Sequence, residues 1–177
     1  MYENHLMKIF KYIALFFIVL IASFFILGLF TPSIVYENKV TVNAPVEKAF
    51  ALFMDTSKMK EWVPGFVSIK ADSGALNNPG TILTLILLQD GQQYEMTETI
   101  TTIKPNEQYA YQLDNTVLRN LVDVRFISKG NQTQITSNNF VTGNSIIWRS
   151  VFYFYKKGFY EQGQKTYDDL KKMIEQQ

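Results

Sequence analysis

The chain has 177 residues, with 17 basic and 16 acidic side chains, one histidine and no cysteine. The absence of cysteine excludes disulfides, thiolate metal sites, a cysteine nucleophile and a lipid-modified cysteine anchor. The only histidine is His5, upstream of an apolar run, so histidine–serine catalysis and histidine metal sites are excluded from the folded part.

Lys8, Lys11 and Glu3 precede Thr31, which leaves 15 charges of each sign in the remainder. A nucleic-acid reader normally carries a basic surplus on one face, so no nucleic-acid partner is expected. The unusual feature of the composition is its 14 Phe and 10 Tyr. Part of that bias lies in the N-terminal run, and much of the rest lies between Trp148 and Tyr160.

Tyr12 to Phe30 carries no charge and only one strongly polar side chain, Ser23. As a helix this stretch spans roughly 28 Å, close to the thickness of a hydrocarbon core. Lys8 and Lys11 precede it, Pro32 ends it, and the Glu37 and Lys39 flank is neutral. The positive-inside rule then puts residues 1–11 in the cytoplasm, a membrane anchor at 12–30 and a domain at 31–177 outside. A cleaved signal peptide is the competing reading. Against it, the run is longer than an h-region needs and ends in Leu27-Gly28-Leu29-Phe30-Thr31, without a small-x-small pair. A buried core helix fits less well, because no polar stripe interrupts the run.

Ser33 to Asn43 reads as a strand, with apolar Ile34, Val40 and Val42 and aromatic Tyr36 among polar neighbours. Asn43 is placed to cap a helix opening at Ala44-Pro45, with Val46, Ala49, Phe50 and Phe53 at helical spacing. Ser57 is expected to cap a short second helix reaching Trp62, and Pro64-Gly65 stops it.

The period then changes to two. Candidate strands are 67–71, 81–89, 92–103, 108–114, 121–128 and 133–142. They are separated by the turn signals Asn78-Pro79-Gly80, Asp90-Gly91, Lys104-Pro105-Asn106 and Lys129-Gly130-Asn131. Such short links indicate an antiparallel meander. From Ile146 the period is helical again. Ile147, Val151, Tyr155, Phe159, Thr166, Leu170 and Ile174 fall near one face, and Lys171 and Lys172 complement the helix dipole. One strand, two short helices, six strands and a long helix make an α+β arrangement. A curved antiparallel sheet of about seven strands wraps the helix, and a cavity can remain between them.

Val40-Thr-Val-Asn-Ala-Pro-Val-Glu-Lys-Ala-Phe50, Met59-Lys-Glu-Trp-Val-Pro-Gly65 and Tyr167-Asp-Asp-Leu-Lys-Lys-Met-Ile-Glu175, in this element order, resemble the START-like (birch-pollen-allergen-like, SRPBCC) superfamily. That group includes polyketide cyclases and lipid-transfer domains. The resemblance covers Ile34 to Glu175 and implies a helix-grip fold enclosing a ligand cavity. It is specific for fold and less so for function, since the fold hosts carriers, cyclases and regulatory modules. The N-terminal helix lies outside the family's pattern.

Within such a fold, Tyr94, Met96, Glu98 and Ile100 share one strand face unless a bulge intervenes. An inward Glu98 would have a raised pKa and could serve as acid or base. A bulge at Ile100-Thr-Thr-Ile103 would instead turn it to water, the ordinary place for an unpaired carboxylate. Tyr109, Tyr111 and Leu113 alternate on the next strand, where their hydroxyls could orient a polar group or simply sit at the rim. Asp123 and Arg125 alternate with apolar residues and read as a surface pair. One of the pairs Ser137/Asn139 and Thr136/Asn138 must face inward, which hints at a partly polar pocket or a watery end. Trp148, Phe152, Tyr155 and Phe159 are the long-helix candidates for ligand contact. Gly158 and Gly163 could admit a ligand or the sheet. The aromatic run Phe152 to Tyr155 is either buried or part of a mouth meeting lipid, and the Trp62 to Phe66 loop is a second candidate mouth, although Trp62 could equally plug the core. Asn131-Gln-Thr133 matches a glycosylation acceptor, a short pattern with a high chance rate.

No phosphate loop, dinucleotide fingerprint or nucleophile elbow is present, and no cofactor is expected. The sequence thus points to a membrane-held pocket for a lipid or other apolar small molecule. The second reading is a cyclase or dehydratase using Glu98, Tyr111 and Ser137. The third is a structural or sensory interaction domain whose cavity its own side chains fill.

Overall fold

The structure is a computed structural model and describes residues 2–74 and 78–177, with side chains from Met7 onward. Met1, the first residue of the segment assigned to the cytoplasm, lies outside the described residues. Helix α1 runs Tyr2–Phe30 and is followed by strand β1, Ile34–Val42. Within α1, Met7–Phe30 is long and apolar enough to cross a membrane, and almost none of it is buried against the rest of the chain. A signal sequence would meet the same description.

Two short helices follow, α2 (Val46–Met54) and α3 (Met59–Trp62), with a 3-10 turn at Thr56–Lys58 between them. Their caps differ from those expected. Asn43 does not cap α2; its N–H donates to Oε1 of Glu175 and its Oδ1 accepts from Gln132. Pro45 occupies the cap position instead, already fixed at φ −57°. Asp55, rather than Ser57, opens the 3-10 turn, accepting from the Ser57 N–H at 3.0 Å. A carboxylate is the stronger acceptor, and Ser57 donates its own hydroxyl to it.

Six further strands are β2 (Phe66–Ser73), β3 (Ile82–Gln89), β4 (Gln92–Lys104), β5 (Gln108–Asp114), β6 (Leu118–Lys129) and β7 (Gln132–Gly143). They form one antiparallel seven-stranded sheet in the order β1-β7-β6-β5-β4-β3-β2. The turn between β3 and β4 uses Asp90 (φ 51°) and Gly91 (φ 78°), the left-handed pair that a two-residue hairpin requires. The last helix, α4, runs Ile146–Gln176 and is capped by Ser145. This is the helix-grip fold.

The core lies between the concave sheet and α2, α3 and the second half of α4, where Leu170 is fully buried and Ile174 nearly so. The first half of α4 departs from the expected face. Phe152 is buried and Phe159 packs beside it over Ile34 and Val141, whereas Ile147, Val151 and Tyr155 point outward. The physical reason is competition between two apolar stripes on the same turns, of which the heavier aromatic one covers β1 and β7. Ser150 is held on a third side by α1, its hydroxyl 2.6 Å from the Phe24 carbonyl.

Candidate functional site

A cavity of about 190 Å³ opens between α2, α3 and strands β2 to β5. Its walls come from the period-two pattern of the strands. Leu83, Leu85 and Leu87 of β3 point inward, as do Met96 and Glu98 of β4 and Tyr109, Tyr111 and Leu113 of β5. Phe53, Met54, Met59 and Trp62 close it from the helices, and Thr166 is the contribution of α4.

Among the described residues Glu98 is the one carboxylate on these walls, and it is 6% exposed. The bulge anticipated near Ile100 exists, but the register of β4 against β5 slips only between Ile100 and Thr102. Glu98 lies before the slip, so it keeps the face of Met96 and Ile100 and points inward. The outward placement is therefore corrected. The Tyr109 hydroxyl donates to Glu98 Oε1 at 2.6 Å. Burial pushes the Glu98 carboxyl up to about 7, partly countered by that hydrogen bond, which favours the charged form. Burial also raises Tyr109 and Tyr111, and proximity to Glu98 adds to both, so these phenols stay protonated donors at neutral pH.

The rest of the wall is apolar and partly aromatic. Phe53 stacks edge-on against Tyr109 at 5.5 Å and tilts over Trp62 at 5.3 Å. The Trp62 indole N–H is buried and has no hydrogen-bond acceptor. A buried donor without a partner costs free energy that an acceptor on a bound molecule would recover. The arrangement can therefore hold a small apolar body and offer it a carboxyl that donates when protonated and accepts when ionised.

Of the ligand-contact residues anticipated from sequence, Met96, Glu98, Tyr109 and Tyr111 line this cavity. Tyr94, paired with the cavity-lining Leu87 near the β3–β4 turn, is not itself part of the lining. Ser137 and Asn139 do face inward, but under α4 and bonded to each other rather than toward open space. Asn139 Nδ2 donates to Ser137 Oγ at 3.0 Å, and Asn120 Nδ2 donates to Asn139 Oδ1 at 3.1 Å. Ser137 also hydrogen-bonds the Tyr167 side chain of α4. These polar groups seat the helix. Phe152 and Phe159 fill a separate apolar cluster, and Trp148 and Tyr155 lie at the surface. Of the two candidate mouths, the Trp62 loop places Trp62 in the cavity wall, and the exposed aromatics of α4 stand apart from it.

Leu83, Leu85 and Leu87 were missed because Ile82, Ile86 and Leu88 beside them are apolar as well, so β3 reads as a nearly continuous apolar run with no marked inward face. Phe53 was visible only as part of the apolar face of α2, and Met54 not at all. Gly163 belongs to packing: a Cβ there would stand 2.3 Å from Asn38 Oδ1, so the glycine lets α4 approach β1.

Residues 33–174 match the sequence model of the family described as "Polyketide cyclase / dehydrase and lipid transport". The chain belongs to this family. Its solved structural neighbours share the fold at low identity. Ara h 8.0201 superposes with a TM-score of 0.65 at 13% identity, covering 81% of this chain and 98% of that one. The di-domain ARO/CYC StfQ from the steffimycin biosynthetic pathway matches at TM-score 0.65 and 10% identity, over 82% of this chain and 52% of that one. Norcoclaurine synthase from Thalictrum flavum, in complex with dopamine and hydroxybenzaldehyde, matches at TM-score 0.60 and 14% identity, over 84% of this chain and 90% of that one. No curated protein sequence matches the chain at a significant level. Family membership and fold suggest ligand binding, while the chemistry must be argued from the cavity itself.

Proposed function

We propose that this protein is a membrane-tethered binding domain that holds a small apolar molecule bearing one polar group. The observation that carries the reading is the mostly apolar cavity whose one carboxyl among the described residues, Glu98, is bound by Tyr109. Its volume of about 190 Å³ lies below the roughly 300–1,000 Å³ of pockets for drug-sized ligands. A one- or two-ring molecule or a short chain suits it better than a two-chain lipid. In this reading α1 anchors the chain through residues 12–30, and Lys8 and Lys11 hold the N-terminus in the cytoplasm with the domain at 31–177 on the other side. The tether keeps the pocket near a bilayer in which apolar molecules concentrate, so modest affinity suffices.

The test uses naphthol as a two-ring phenol probe on the full chain in nanodiscs. A Trp148→Phe background leaves Trp62, in the cavity wall, as the only tryptophan. Naphthol should change Trp62 fluorescence saturably. A response that rises linearly without saturating would show partitioning into lipid and contradict the pocket.

A second reading is an enzyme of the cyclase or dehydratase kind, favoured by one observation: a carboxyl near pKa 7 can both give and take a proton at neutral pH. Tyr111 stands on the same wall, and Ser137, under α4, drops out as a partner. Turnover lost in Glu98→Gln with binding retained would support this reading; binding without turnover in the wild type supports the first.

A further inference from the structure

The first half of α4 turns an apolar stripe away from the core. Ile147, Val151 and Phe154 recur at helical spacing and are 53%, 36% and 67% exposed. A helix of a water-soluble domain normally turns such a stripe inward. A contiguous exposed apolar surface marks contact with another body.

The contacts of α1 indicate what that body is. The Ser150 hydroxyl donates to the Phe24 carbonyl, and a Cβ on Gly28 would stand 2.4 Å from both the Ile146 carbonyl oxygen and Ser150 Oγ. Gly28 thus opposes Ile146, and Phe24 lies opposite Ser150, so the two helices run antiparallel where they touch. The contact ends there: Leu20 and Ile21, one turn earlier on α1, and Phe154, one turn beyond Ser150 on α4, are all exposed. If α1 spans a bilayer, the exposed stripe heads toward the hydrocarbon beside it.

The other flank of the same turns fits that placement. A shallow groove between α4 and β1 is walled by Tyr36, Tyr153, Phe154 and Tyr160 and carries two lysines, Lys156 and Lys157, against one carboxylate, Glu37. Aromatic rings with lysines at their edge are the composition of a helix lying at a membrane–water boundary. The rings occupy the headgroup level, and the ammonium groups extend to lipid phosphates.

We infer that the first half of α4, Ile146 to Tyr160, lies in the interfacial layer of the same bilayer that holds α1. Val151 and Phe154 enter the acyl boundary, and Lys156 and Lys157 meet the phosphates of anionic lipid. The domain is then held at the membrane by two contacts, α1 and the start of α4, instead of swinging on a stalk. This rests on the reading of α1 as a membrane anchor.

The chain has no cysteine, so single-cysteine variants can each carry one environment-sensitive NBD dye. The full chain is reconstituted in vesicles of phosphatidylcholine and phosphatidylglycerol in three forms, all substituted at exposed positions: Phe154→Cys, Phe17→Cys and Lys129→Cys. Lys129 sits in the β6–β7 hairpin beside the far end of β1, where Val42 opposes Thr133. The dye at 154 should emit blue-shifted and be quenched by nitroxide on the upper acyl chain, as should the dye at 17. The dye at 129 should respond only to aqueous iodide. If the dye at 154 behaves like that at 129 while the dye at 17 is quenched from the lipid, the inference is overturned and the anchor stands. If the dye at 17 also responds only to iodide, the anchor reading fails and the inference falls with it.

Discussion

The Tyr109 hydroxyl donates a 2.6 Å hydrogen bond to Glu98 Oε1 within a cavity whose other walls are almost entirely apolar. Two adjacent strands create the pair, because the β4 bulge comes after Glu98 and leaves its side chain on the concave face. The pair ties the binding chemistry to the stability of the fold.

That coupling has a definite sign. Burial raises the Glu98 carboxyl from its ordinary 4.5 to about 7, so the folded chain holds a proton that the unfolded chain releases between those values. Glu98 therefore contributes most below pH 4.5, and its contribution is lost as pH rises to about 7. The loss is on the order of 3 kcal/mol. Glu98→Gln should remove this part of the pH dependence, measured as the difference between wild-type and variant melting temperatures across that window. Tyr109→Phe deletes a bond that favours the charged form, so it should carry the window to higher pH. Parallel wild-type and Glu98→Gln curves would disprove the assignment.

Filling the cavity should separate stability from binding. Met96→Trp places a larger apolar side chain toward the space lined by Leu85 and Tyr111. The change in folding free energy is expected to stay within about 1–3 kcal/mol, while naphthol binding weakens at least about tenfold. Calorimetric melting and the Trp148→Phe fluorescence titration, the latter with Met96→Phe in place of the tryptophan, check the two halves.

Gly163→Ala tests the seat of α4. The new Cβ would stand 2.3 Å from Asn38 Oδ1, while Asn38 Nδ2 is already bonded to the Tyr160 carbonyl at 3.0 Å. Helix propensity alone would make the alanine more stable by roughly 1 kcal/mol. The clash should reverse that sign, with a net loss of about 1–3 kcal/mol by denaturant unfolding.

Gly28→Leu tests the contact of α1 with α4. The space beside Gly28 is taken by the Ile146 carbonyl and the Ser150 hydroxyl, so a leucine must push the helices apart. The Ser150–Phe24 hydrogen bond should then be lost. A dye at position 154 should move to a more aqueous environment, while a dye at position 17 is unchanged.

The fold was largely legible in the sequence because its signals are local. The change from period three-and-a-half to period two after Gly65, the turn pairs and the Val40–Phe50 opening all read through to the observed elements. β6 begins at Leu118, three residues before the expected start, because pairing with β7 continues through the polar Arg119 and Asn120. The site was less legible. Met96, Glu98, Tyr109 and Tyr111 follow from strand alternation alone, whereas the orientation of Glu98 depends on where a bulge falls within a few residues. Trp148, Phe152, Tyr155 and Phe159 lie off the cavity, since helical spacing specifies faces and not their partners. Which face of α4 meets the sheet is decided by α1 and β1, through Ser150 and Ile34, and neither contact has a signature in the sequence of α4.

The claim that the cavity holds a small apolar ligand is tested most directly by native mass spectrometry of the full chain released from detergent, with organic extraction, on wild type and Met96→Trp purified in parallel. The account predicts a stoichiometric small-molecule adduct on the wild type that is absent from Met96→Trp. Bare protein in both, or the same adduct on both, would contradict it.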